Sequence, residues 1–105
     1  MTGWSNGSPL ASGAGYGLKI SHQDRDRFFD RGWRHIVLDV PGEGSVAIGL
    51  SRSFWGTCTE LRSASIGRWL VAEGLAPWPT GNPPAVTMVP AGEGRFTLST
   101  APRFG

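Results

Sequence analysis

A chain of 105 residues with a formal net charge of +2 has room for one modest domain, and its single cysteine, Cys58, excludes an intramolecular disulfide and a thiolate metal cluster. Ten basic against eight acidic residues exclude a polyanionic or polycationic tail protein, although every basic residue except Lys19 is arginine. Without a disulfide to staple it, the fold must rely on its five Trp, five Phe and one Tyr, which are the expected core.

Residues 1–15 are mostly Gly, Ser, Ala and Thr, too poor in apolar side chains to offset the entropy of ordering, and read as a flexible tail. Nothing there combines a basic start with a long apolar run, so a reducing, cytoplasmic setting without membrane contact is expected. One α+β domain is expected over 16–99, followed by a second short tail at 100–105.

Within the domain, Tyr16, Leu18 and Ile20 alternate as on a half-buried strand. Ser21 then offers a capping oxygen, with Asp24 three positions on, and predicts a short helix over 22–31. Gly32 would close it and let Trp33 fold back on Phe28 or Phe29. The apolar alternating runs 34–40 and 45–50, joined by Pro41, Gly42, Glu43 and Gly44, predict a β-hairpin.

A long amphipathic helix over 53–73 is the next expected element, capped by Ser51 or Ser53. Phe54, Cys58, Leu61, Ser65, Trp69 and Ala72 fall on one stripe, widened by Trp55 and Ile66. Gly74 and Pro77 supply its stop. A proline-stiffened loop at 77–84 leads to a last hairpin, with strands 85–89 and 94–99 turned by 90–93. The expected fold is thus α+β, a twisted antiparallel sheet or partly open barrel packed on one long amphipathic helix, with one short helix besides.

Chemistry-bearing residues are sparse. His22, His35 and Cys58 fall on a helix start, a strand and the buried stripe, where a cysteine acts as a small hydrophobe. Asp24, Asp26 and Asp30 alternate with Arg25, Arg27 and Arg31, the pattern of a solvated, ion-paired helix surface. A non-catalytic protein with no metal and no small-molecule cofactor is the expectation. Arg62 stands out because it falls among Trp55, Cys58, Ile66 and Trp69 on the helical wheel. Its guanidinium must stack on indole and find an acceptor such as Glu60 or Glu73, or else contact a ligand.

The runs Ile66-Gly67-Arg68-Trp69-Leu70, Gly74-Leu75, Gly81-Asn82, Ala85-Val86-Thr87-Met88-Val89 and Arg95-Phe96-Thr97-Leu98 resemble the closing segment of DNA-binding pseudobarrels. These are the plant B-three-type transcription-factor domains and the effector domains of some restriction endonucleases. There, a helix bearing Trp or Phe precedes an apolar-Gly-Asp turn and a last strand pair. Asn82 stands where that turn has its acid, and the family has more strands than the five read above. The resemblance implies a positively charged concave face that enters the major groove of duplex DNA, where arms read bases and arginines hold phosphates. Candidates by position are Lys19, Arg25, Arg27, Arg31 and Arg34 around the first helix and Arg52 at the start of the second. The interleaved aspartates would repel phosphate. A reading of another class is a protein-interaction adaptor, or a homo-oligomer, with Trp55, Arg62 and Trp78 on the partner surface.

Overall fold

The structure, a computed structural model, describes residues 1–5, 7, 9 and 12–100. The described elements are β1 (Thr2–Ser5), β2 (Tyr16–Lys19), α1 (His22–Phe28), β3 (His35–Val40), β4 (Gly44–Gly49), β5 (Glu60–Arg62), α2 (Ala64–Ala72), β6 (Val86–Gly92) and β7 (Arg95–Thr100). They build an α+β fold with two sheets, a three-stranded one in the order β1-β2-β5 and a four-stranded one in the order β4-β3-β7-β6. All pairings are antiparallel except that of β3 with β7.

The sheets do not close into a barrel. One seam is held by a single bridge between Thr2 and Ala85, flanked by hydrogen bonds from Val86 N to Met1 O and from Gly3 N to Pro84 O, each 2.9 Å. Both sheets face one core, where Leu18 and Leu61 meet Ile36, Leu38 and Leu98, with Ile66, Trp69 and Leu70 of α2 beside them. No helix among the described residues is long and apolar enough to cross a membrane.

Six expectations are corrected. The stretch 1–15, read as a tail, supplies β1 and a close-packed segment against α2. There Gly13 (φ +95°) and Gly67 approach so closely that a Cβ on Gly67 would lie 2.2 Å from Gly13 O. Small residues and backbone bonds do here what apolar side chains do elsewhere. The proposed C-terminal tail begins at Thr100, the last residue of β7, and 101–105 lies outside the described residues.

The long helix over 53–73 does not form: a turn, a short strand and a nine-residue helix take its place. Residues 52–57 form turns, 60–62 pair with β2, and only Ala64–Ala72 is helical, capped by the Ser63 hydroxyl. Gly56, Thr57, Cys58 and Thr59 are poor helix formers in sequence, and β2 offers the following residues a ladder that a helix would forfeit. Cys58 is consequently exposed, not buried. The expected stop does hold: Gly74 has φ +72°, and Leu75 N donates to Leu70 O at 2.9 Å.

The first helix keeps its Ser21 cap but ends at Phe28, because Phe29 turns to extended backbone and stacks on Phe96, ring centroids 5.0 Å apart. Core stacking outweighs three further residues of an exposed helix. Trp33 does fold back on Phe29, at 6.2 Å. The last hairpin turns at Glu93-Gly94 rather than over 90–93, since β6 carries on through a bulge between Pro90 and Gly92.

Candidate nucleic-acid interface

Register decides which side chains share a face. In the three-stranded sheet, Gly3, Leu18 and Leu61 lie opposite one another and point into the core. The alternate rows, Trp4-Gly17-Arg62 and Thr2-Lys19-Glu60, therefore stand on the outer face. Gly17, on the middle strand, has no side chain to separate its two neighbours. Arg62 lies across it, placing its guanidinium carbon 4.6 Å from the centroid of the Trp4 ring. A Cβ on Gly17 would meet Leu61 O at 2.3 Å, so the close approach of β5 to β2 itself requires glycine.

The protein acceptor for Arg62 is Glu60, a long contact of 3.5 Å from Nη2 to Oε1, and the Arg62 side chain remains 61% exposed. Most of its donors face outward. Lys19 is exposed in the neighbouring row. The turn that leaves β4 adds to the same side: Ser51 and Ser53, flanking exposed Arg52, line one open hollow with Cys58, Glu60 and Arg62. Trp4 and Arg62 line a second with Tyr16 and Ser63. Ser51 and Ser53 hydroxyls bond each other at 2.8 Å. The side thus combines an indole, two cations and two hydroxyls around one carboxylate, with exposed Arg52 between the two serines in the chain.

Two carboxylates elsewhere, Asp39 and Glu43, are paired with other arginines. Asp39 accepts from Ser45 and from Arg95, and the Ser45 hydroxyl followed by the Arg95 guanidinium holds its carboxyl below the usual range. Arg68 Nε reaches Glu43 at 2.6 Å while its Nη1 donates to Ser12 O. Among the described residues, Lys19, Arg27, Arg34 and Arg52 make no ion pair.

No known family, curated protein or solved structure matches this chain.

The sequence-based candidates divide sharply. Lys19 lies on the side just described, Arg52 is exposed in the turn whose Ser51 and Ser53 border it, and Arg62, assigned to a partner surface, joins them. Arg62 stacks on Trp4 rather than Trp55 and sits on a strand rather than a helix. Arg27 and Arg31 are exposed on and after α1, with Arg27 over Phe28 and Arg31 over Trp55. Arg34 is exposed at the entry to β3. Arg25 is not a surface cation: it is 6% exposed, and its Nη1 donates to Phe54 O at 3.1 Å and Gly56 O at 3.0 Å. Its helix sits against the 51–58 turn, and the carbonyls of that turn are the acceptors a buried guanidinium needs.

Beside it, the hydrogen bond from Arg25 Nε holds the Asp26 carboxyl below the usual carboxylate range, helped by the charges of Arg25, Arg31 and His22. Trp55 is half-buried against Phe54, with Arg25 and Arg31 over its ring. Trp78 is half-buried on Tyr16, centroids 5.5 Å apart, and covers Gly3. Both tryptophans of the supposed partner patch are thus engaged within the fold. Trp4 is the residue that sequence reasoning missed. Its only local signal was one large aromatic in a Gly- and Ser-rich stretch.

Proposed function

We propose that the protein is a non-catalytic module that binds duplex DNA through the outer face of the β1-β2-β5 sheet and the adjoining 51–58 turn. The observation that carries the reading is the Trp4-Gly17-Arg62 row, with an exposed arginine over an indole, Lys19 in the next row and Arg52 exposed in the adjoining turn. Lysine and arginine on such a face neutralise phosphates, and an arginine fork additionally suits the acceptor edge of guanine. The Ser51 and Ser53 hydroxyls add neutral partners for phosphate oxygens. The resemblance of the C-terminal runs to DNA-binding pseudobarrels, drawn from the sequence, points to the same class of partner. A reducing, cytoplasmic setting suits exposed, unpaired Cys58.

The test is duplex affinity at two salt concentrations. Micromolar or tighter binding at low salt that weakens steeply as salt rises is expected, with a log-log slope of about 0.9 per phosphate neutralised. Absence of binding at low salt overturns the reading. A second reading, a protein-interaction module, is favoured by a different surface from Trp55 and Trp78. Phe28 and Val89 are 43% and 49% exposed, and Phe28 borders an apolar hollow with Met1, Met88 and Pro90.

A further inference from the structure

We infer that Arg25 is a positioning residue for the DNA-contacting turn, an inference that rests on the DNA reading above. The 51–58 turn is held internally by short-range bonds: Trp55 N to Arg52 O, and Gly56 N and Cys58 N to Ser53 O. Bonds of that kind shape a turn without orienting it against the rest of the molecule. Its two ends are tied by backbone bonds from Leu50 N to Arg34 O and from Ile20 N to Thr59 O, and two further features orient its middle. The Phe54 ring is 1% exposed in the core, and the Arg25 guanidinium grips the carbonyls on either side of Trp55 while lying over its ring.

Asp26 fixes a second edge of that guanidinium, Nε to Oδ1 at 3.0 Å. The planar fork is thereby aligned along two carbonyls and one carboxylate, an arrangement that an ammonium on a flexible stem does not reproduce. A buried cation is a poor way to gain stability alone, because its desolvation offsets most of the attraction. What it supplies is direction: with Phe54 O and Gly56 O clamped, Ser51, Arg52 and Ser53 are carried to the side where Arg62 and Lys19 stand. Arg25 therefore acts on DNA through Arg52 without touching it.

Coupling between the two arginines is the test. In the otherwise unaltered protein, Arg52→Ala should lower duplex affinity about fivefold, and in an Arg25→Lys background by less than about twofold, because Arg52 is no longer presented. Arg25→Lys alone should weaken binding although the charge is kept, and Asp26→Asn should show the same loss of coupling in smaller degree. Should Arg25→Lys bind as the unaltered protein does, or should the two losses simply multiply, the inference fails while the DNA reading stands. If the unaltered protein does not bind duplex at all, both fall. Comparing folded fractions by circular dichroism before each titration separates lost affinity from lost fold, and Asp26→Asn keeps the test open if the lysine variant unfolds.

Discussion

Of the three arginines that lie over tryptophan rings among the described residues, Arg25 and Arg62 are given opposite employment by their surroundings. Arg25 over Trp55 has backbone carbonyls on one edge and Asp26 on another, and is buried. Arg62 over Trp4 has one long contact to Glu60 and is mostly exposed. Guanidinium stacked on indole is therefore no signature of either structure or recognition. The number of donors left without a protein acceptor is what distinguishes them, since all five N–H groups of an arginine seek partners. Arg25 directs its donors inward; Arg62 presents its own to whatever approaches the sheet.

The comparison can be broken most severely at the buried member. Arg25→Met should cost about 2–4 kcal/mol in urea denaturation, because the carbonyls of Phe54 and Gly56 lose their donor while half-shielded from water. A cost below about 0.5 kcal/mol would show that water replaces the guanidinium freely. Next comes the packing that holds β1, and hence Trp4, in place. Gly67→Ala puts a methyl against Gly13 O and should destabilise by about 1–3 kcal/mol, with faster amide exchange at Gly17 and Leu18 where β1 pairs with β2.

At the exposed member the expected signs reverse. Arg62→Ala should leave stability within about 0.5 kcal/mol, yet weaken duplex binding and reduce the salt slope by about one. Unchanged binding would remove Arg62 from the interface.

The smallest effect is on pH. The folded Asp26 carboxyl is held below its ordinary 3.8, so its contribution to stability is present above that value and is lost as pH falls through the lower folded one. Asp26→Asn should flatten this acid limb in denaturation midpoints measured from neutral pH downward.

Legibility in the sequence followed range of interaction. The Ser21 cap, the β3-β4 hairpin and the Gly74 stop were all readable, because each depends on residues within a few positions of one another. The central helix was misread for the complementary reason. Its apolar spacing suits a helix over 53–73, but 60–62 pairs instead with β2, more than forty residues earlier in the chain. Cys58 moved to the surface with that change, and Arg62 moved from a helical wheel to a strand.

The candidate face depended on the same distant pairings. Composition marked arginines as abundant, and alternation marked most of the strands, since local chemistry and period carry that much. That Arg25 points inward, that Arg62 crosses Gly17 to reach Trp4, and that a Gly- and Ser-rich start is a strand were settled by tertiary structure. Each depends on which segment supplies the missing hydrogen-bond partner, and no local pattern encodes a partner that lies dozens of residues away.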